Sequence, residues 1–277
     1  MTLRSSLTWR TCFSSTGLVV ALIGLLAIII VAPDFVSPYD TTALDLKARL
    51  APPSLAHLFG TDEGGRDLFS RIVHGARYSV GTSMIIVLAA AIIGLVIGAI
   101  SGMASRLVDN ILMRIVDVFM GFPALVLSLA VAAAVGRGLT GVIISLLLIW
   151  WPGYARYVRS EVRRLRELPH IEAATALGAS NFLLLRRHIL PFVIQGINVR
   201  ITTDIGYALV AVTALSFLGL GVRSPIPEWG LLIRDSRSYF GVAWWYMMFP
   251  GLMVMITATA FSLLGDRLAA QNSGGSR

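Results

Sequence analysis

Two short groups of charged residues are the parts of this sequence most able to do chemistry. In the stretch GTDEGGRD, Asp62 and Asp67 lie on either side of Arg66. Clustered carboxylates can hold a calcium ion, but this stretch lacks the alternating acidic ligands of a calcium-binding loop. We therefore predict a turn locked by pairing between aspartate and arginine. Contact with another protein and binding of a metal are the alternatives.

The second group is Asn198, Arg200 and Asp204, which lies near the start of an apolar stretch. A charged side chain in the middle of a membrane costs about 2.5–3.5 kcal/mol. Arg200 and Asp204 are four residues apart, a spacing at which side chains meet on one face of a helix. The pattern predicts a structural ion pair near the membrane interface. A role of the group in gating, or in the path of a substrate, is the alternative.

Residues for metal binding, redox chemistry and nucleotide binding are few. The chain has one cysteine, Cys12, one lysine, Lys47, and four histidines that form no cluster in the sequence. No glycine-rich loop of the form G-x-x-x-x-G-K-[ST] surrounds the lysine. We therefore expect no catalytic residue, no bound metal and no cofactor in this chain.

The composition indicates a membrane protein. Of the 277 residues, 56% are hydrophobic and only 14% are charged, which is more apolar surface than one soluble core of this size can bury. Stretches of nearly 20 apolar residues are long enough to span a bilayer as helices. Six such stretches cover residues 17–32, 78–100, 118–135, 142–155, 192–214 and 244–264. We predict an all-α polytopic membrane protein with six transmembrane helices, the first of them retained rather than cleaved as a signal peptide.

The positions of the arginines predict the orientation of the chain. Seven of them lie between Arg156 and Arg187, whereas the first loop balances its basic residues with six acidic ones. Membrane loops rich in arginine stay on the cytoplasmic side. Six crossings then place both termini in the cytoplasm. Because the net charge of +8 is concentrated in this loop, we expect no nucleic acid as a partner.

Glycine recurs every four residues in the second stretch, at Gly94, Gly98 and Gly102. This spacing leaves one helix face without side chains, so that another helix can come close. We predict tight helix packing there rather than a ligand site.

The stretch IEAATALGAS, residues 171–180, interrupts the apolar pattern and predicts a turn between two short helices on the cytoplasmic surface. Pro169 suits the first turn of the first helix. Gly178 suits the left-handed residue that follows a helix end. On the first helix, Ile171, Ala174 and Leu177 are predicted to share one face.

The second short helix is predicted over residues 182–189, capped by Ser180 or Asn181 and ending at Pro191. The small alanine and threonine side chains around the turn let another protein approach closely. The pair of helices is therefore predicted to be a docking site for a partner protein.

The segment from EAATALG to HILP resembles the EAA signature of the membrane subunits of bacterial ATP-binding-cassette importers. The matching positions are Glu172, Ala173, Ala174, Gly178 and Pro191. The resemblance implies a coupling helix that sits in a groove of a separate ATPase subunit, with Glu172 facing a basic group there. An alternative role for Glu172 is to cap the positive end of its own helix.

Residues 57–80, 114–123 and 215–237 are similar to the peptide and nickel branch of these permeases. The resemblance implies the type I importer permease fold, with a first helix and outer loop over residues 1–74 and the transmembrane domain over residues 75–268. We expect the last residues, 269–277, to be disordered. The implied partners are a second homologous permease, one or two ATPases that bind ATP and magnesium, and a substrate-binding protein outside the bacterial inner membrane.

The stretch SPIPEWG predicts an ordered loop at the outer surface. There Glu228 and Trp229 are candidate contacts for the binding protein, as are Asp62, Arg66 and Asp67. Di- or oligopeptides are the expected substrates, and nickel or a chelated metal is the alternative, because the resemblance covers both. A secondary transporter that works without an ATPase is a third interpretation.

Overall fold

The structure, a computed structural model, describes Gly24 and residues 26–274. Residues 26–31 form the visible end of a first helix, α1. Most of the first predicted span, residues 17–32, lies outside the described residues. Cys12 and the terminal arginines Arg4, Arg10 and Arg277 lie outside them as well. Within the described part of the chain every regular element is helical.

Four helices are long and apolar enough to cross a membrane, and they contain the second, fourth, fifth and sixth predicted stretches. Each is longer than predicted, because polar turns extend the apolar segments beyond the hydrocarbon. They are α2 (Leu68–Met103), α5 (Leu139–Arg166), the continuous helix Asn181–Phe217 and α10 (Trp244–Gly274).

The third predicted stretch, residues 118–135, is not one straight helix. The chain forms α3 (Arg106–Met120) and α4 (Ala124–Val135), with an angle of 87° between them. Pro123 lacks an N–H group and disfavours helical backbone at Phe122, which explains the break. The 12 residues of α4 span only about 18 Å, less than the hydrocarbon thickness of a bilayer. If the bent pair is one span, the described residues contain five spans.

Helices α2 and α5 pack through the predicted glycines. A Cβ atom added at Gly98 would lie 2.6 Å from the Cβ of Val158, and one added at Gly102 would lie 2.7 Å from the Cβ of Val162. Gly94 approaches Tyr154 in the same way. The prediction of tight packing is confirmed. Because the paired positions advance together along the two sequences, α2 and α5 run parallel.

The remaining helices close the bundle. Between α5 and α8 (Leu190–Phe217) lie α6 (Pro169–Ala176), the short α7 (Asn181–Leu183) and a π-helical segment, Leu184–Ile189. Helix α9 (Trp229–Ser236) connects α8 to α10. Helices α8 and α10 pack closely at Gly206, where an added Cβ would lie 2.8 Å from the carbonyl oxygen of Ala258.

The two ends of the described chain differ in character. The loop before α2 carries a short 3₁₀ turn, Leu46–Ala48, in which Lys47 is exposed and its N–H donates to the Asp45 carboxylate at 3.0 Å. At the other end, α10 continues to Gly274. The expected disordered tail is therefore helical over residues 269–274, since Leu268, Ala269 and Ala270 are strong helix formers.

Candidate functional site

The segment of residues 169–183, which we call the knuckle, turns sharply at one glycine. Helix α6 ends at Ala176, and Gly178 follows with a φ of +88°, in the left-handed region. The Ser180 hydroxyl oxygen then accepts a hydrogen bond from the N–H of Leu183 at 3.3 Å. The predicted roles of Gly178 and Ser180 are both confirmed. Buried Ile171 anchors the knuckle to the bundle.

The outward face of the knuckle has no partner within the described part of the chain. Glu172 and Ala173 are exposed, and the side chains of Leu177 and Phe182 are 89% and 71% exposed. A Cβ added at Gly178 would meet no atom within 4 Å. Glu172 lies in the first turn of α6, where its charge interacts favourably with the positive end of the helix, so the capping role stays an alternative.

One detail of the predicted knuckle is wrong. Leu177 does not share the buried face of Ile171, because α6 ends one residue earlier and Leu177 points away from the bundle. Ala174 lies between these two extremes and is partly buried. The exposed surface is therefore more apolar than the alanines alone predict.

The second short helix does not end at Pro191. The chain passes from α7 through the π-helical segment Leu184–Ile189 and continues into α8, with Pro191 in its first turn. The N–H of Leu190 donates to the carbonyl of Leu185, five residues back. A wider π turn gives the proline ring the room that a regular α-helix denies it. The knuckle is consequently the tip of one helical rod that extends to Phe217.

Arg200 and Asp204 form the predicted ion pair, with 3.3 Å between Nε and Oδ2. Arg200 also reaches helix α5, where its Nη1 donates to the carbonyl oxygen of Gly153 at 3.2 Å. Its guanidinium carbon lies 4.9 Å from the ring centre of Tyr154. Asn198 is exposed and its side chain does not join this group.

The predicted turn in GTDEGGRD is confirmed as a buried ionic network. Both the Nε of Arg66 and the Nη1 of Arg71 donate to Oδ2 of Asp62, at 2.7 and 2.8 Å. Asp67 caps helix α2 by accepting from the N–H of Ser70 at 2.8 Å. Asp62, Arg66 and Asp67 are buried and make their contacts inside the protein, and their contact with a binding protein stays a prediction.

Glu228 is also buried, and it caps α9 from within the protein. Its carboxylate accepts from the N–H groups of Gly230 and Leu231, both at 2.9 Å, and from the Ser79 hydroxyl at 3.1 Å. Burial raises the pKa of Glu228, and the two N–H donors oppose this rise. Glu228 therefore positions α9 against α2.

Trp229 completes this contact. Its side chain is fully buried, and its indole N–H donates to the carbonyl oxygen of Ile72 at 2.8 Å. Neither the Glu228 nor the Trp229 side chain reaches the surface, and the contact of these two residues with a binding protein stays a prediction. The loop itself is ordered, as expected.

Sequence reasoning misses one strong group of charges on the side of the knuckle. Asp109 is 1% exposed and accepts hydrogen bonds from Arg159, Arg163 and Ser101, which tie α3 to α5 and α2. The arginine-rich segment offers a signal for it, because a buried carboxylate requires a basic partner. Asp117, which also lies on α3, pairs with Arg156 of α5, but both side chains are about half exposed.

Comparison with protein families gives one match. The family described as "Binding-protein-dependent transport system inner membrane component" matches residues 94–273. The matched part contains the knuckle, the Arg200 pair and α9.

The chain is similar over most of its length to several curated proteins. It is 41% identical to the nickel transport system permease protein NikC of Escherichia coli strain K12, covering 92% of each chain. It is 38% identical to the probable D,D-dipeptide transport system permease protein DdpC of the same strain, covering 88% of this chain and 82% of DdpC. It is 37% identical to the glutathione transport system permease protein GsiD of Pectobacterium atrosepticum, with coverage of 94% and 87%.

Two solved structures share the fold. A chain of the MetNI methionine ABC transporter in an inward-facing conformation superimposes with a TM-score of 0.57 at 21% identity, covering 72% of this chain and 95% of that one. A chain of an amino acid ABC transporter with histidines gives 0.55 at 18% identity, with coverage of 73% and 92%.

Proposed function

The chain belongs to the family of binding-protein-dependent transport system inner membrane components, and from this premise we propose that it forms half of the translocation pathway of an ATP-driven importer for di- or oligopeptides. ATP and magnesium bind to separate ATPase subunits. A second homologous permease forms the other half of the pathway, and an outer binding protein delivers the substrate.

The observation that supports this proposal is the exposed knuckle at the end of a long transmembrane helix. Its apolar side chains, Leu177 and Phe182, are exposed although Ile171 beneath them is buried. We call Leu177 and Phe182 the apolar ridge of the knuckle. A large apolar surface in water is typical of a protein interface. An ATPase that holds this ridge moves α8 directly, because the helix continues from the knuckle to Phe217.

The expected contact surface consists of Glu172, Ala173, Ala174 and Gly178, with Pro191 at the start of α8. Glu172 is exposed on the knuckle, so a basic group of the ATPase can reach its carboxylate. Closure of the ATPases on ATP shifts the permease between two states only if the knuckle transmits a difference in binding energy between them.

Peptides are the proposed substrates because two of the relatives described above are permeases for D,D-dipeptides and glutathione. Nickel is the second candidate, since the chain is 41% identical to NikC. In the described residues no group of three or more histidine, cysteine, aspartate or glutamate side chains could hold a metal. A chelated metal needs no such group, so uptake of radiolabelled dipeptide and of nickel by the assembled importer separates the two.

The docking role is tested by affinity purification of the tagged chain together with the second permease and the ATPases of its own host. Gly178→Asp places a charge on the ridge and strains a left-handed residue. We expect at least a tenfold loss of retained ATPase, a change of about 1.4 kcal/mol or more.

Gly241→Asp is the matched control, because an added Cβ there also meets open space and its φ is not left-handed. It should retain the ATPase at the native level. Equal retention by both variants would contradict the proposed docking site, and a native chain that purifies alone would contradict the importer itself.

A further inference from the structure

Helices α5 and α8 both run into the knuckle, and they touch each other again inside the bundle. Helix α5 ends at Arg166, three residues before Pro169, and α8 begins where the π-helical segment ends. Above the knuckle, the Tyr157 hydroxyl of α5 fills the place where a side chain at Gly196 would start. One turn further along α8 lies Arg200.

Arg200 joins the two helices through a hydrogen bond and ring contacts, and Asp204 of its own helix pairs with it. It donates to the carbonyl oxygen of Gly153 and to Asp204. Its guanidinium plane lies over the rings of Tyr154 and Tyr157, at 4.9 and 5.8 Å from their centres. Only arginine combines a flat, stacking cation with several fixed donors.

The surrounding residues leave room for this arrangement. A Cβ atom at Gly153 would lie 2.9 Å from Nη2 of Arg200. Pro152 lies inside α5 and cannot donate to the carbonyl of Leu148, so one backbone hydrogen bond is missing from the turn before Gly153. Arg200 thus contacts α5 next to a turn at which helices bend readily.

The knuckle and the Arg200 contact connect α5 and α8 at two levels, and the helix segments between these levels are similar in length. From Gly153 to Arg166 is about 20 Å of helix, and from Leu184 to Arg200 is about 24 Å. The knuckle connects the ends of these two segments that lie away from Arg200. Without the upper contact, movement of the knuckle could be absorbed by bending at Pro152 or by a change in the π-helical segment.

We propose that Arg200 is a positioning residue that makes α5 and α8 move together when the knuckle moves, so that work done by the ATPases reaches the pathway. This inference rests on the proposed function and names a residue through which it operates. Asn198 takes no part in the contact. Asp204 serves to hold the guanidinium in place.

The decisive experiment measures ATP hydrolysis and substrate uptake in the same proteoliposomes, prepared with the complete importer. In Arg200→Gln we expect uptake per ATP hydrolysed to fall at least fivefold, with the ATPases still bound. Arg200→Lys keeps the charge but lacks the flat group, so it should restore less than half of the coupling. Arg106→Gln, an exposed arginine at the start of α3, should leave the ratio unchanged.

A second measurement does not depend on the ATPases. Hydrogen exchange of the detergent-solubilised chain should be at least threefold faster at residues 153–157 in Arg200→Gln than in the native chain, and unchanged in α2. Unaltered hydrogen exchange at residues 153–157 would overturn this inference even if the proposed importer function is correct. A variant that merely assembles less complex, with a native uptake ratio per complex, would also overturn it.

Discussion

Asp109 is a buried acidic side chain on the knuckle side of the bundle. Its carboxylate is buried and meets Arg159 and Arg163, so its removal leaves two arginines without their acceptor. Arg159 and Arg163 are 26% and 42% exposed, so we expect Asp109→Ala to lower the free energy of unfolding by about 2 kcal/mol, the usual contribution of hydrogen bonds to a charged group. Thermal unfolding of the solubilised chain measures this loss.

Asp117→Ala is the control on the same helix. Asp117 and Arg156 are 53% and 48% exposed, and exposed pairs contribute at most about 1 kcal/mol. Equal losses for the two variants would show that Asp109 is no better bound than a surface aspartate.

Residue types in this sequence predict pairing better than they predict burial. The four-residue spacing of Arg200 and Asp204 is enough to predict their ion pair, because one helix turn sets it. The burial of Glu228 depends on Ser79, 149 residues earlier in the chain. Such a partner comes from the packing of two helices, and no local pattern reveals it.

At the scale of the elements, the seam between α2 and α5 gives a sharp prediction. A methyl group at Gly98 would lie 2.5 Å from the carbonyl oxygen of Ala155, so Gly98→Ala must push two backbones apart. We expect it to lower the free energy of unfolding by about 1–3 kcal/mol, the usual cost of overpacking. Thermal unfolding of the solubilised chain again provides the measurement.

Gly81→Ala is the matched substitution on the same helix, where an added Cβ meets nothing within 4 Å. Because alanine favours helix more than glycine does, it should be neutral or slightly stabilising. A seam that tolerates Gly98→Ala equally well would not be a close contact.

Hydropathy predicts which elements exist but not how they are joined. It finds the apolar part of each long helix, since a spanning helix needs that composition. It misses the 87° bend between α3 and α4, although Pro123 marks its place. It also places a helix end at Pro191, because the wider π turn that accepts this proline has no signal in the sequence.

For the whole molecule, the parallel course of α2 and α5 fixes the two ends of the bundle. The loop with Leu55 comes before the start of α2, and Leu177 follows the end of α5, so these residues lie on opposite sides of the membrane. We propose that the knuckle side is cytoplasmic, in agreement with its arginines.

Thiol labelling measures this orientation. Leu55→Cys and Leu177→Cys are introduced separately into a Cys12→Ser background, and both positions are highly exposed, at 99% and 89%. A membrane-impermeant maleimide should label the first in intact cells without an outer membrane, and the second only after the cells are opened. The reverse pattern would contradict the orientation.

The exposed Lys47 in the outer loop has a practical consequence. It is the only lysine of the chain, and it lies on the side of the bundle opposite to the knuckle. Lys47 is therefore the one side chain at which amine-reactive chemistry attaches a dye, a bead or a sensor surface, without any mutation. A chain tethered in this way presents its knuckle freely to solution, so the arrival and departure of an ATPase can be timed on single molecules.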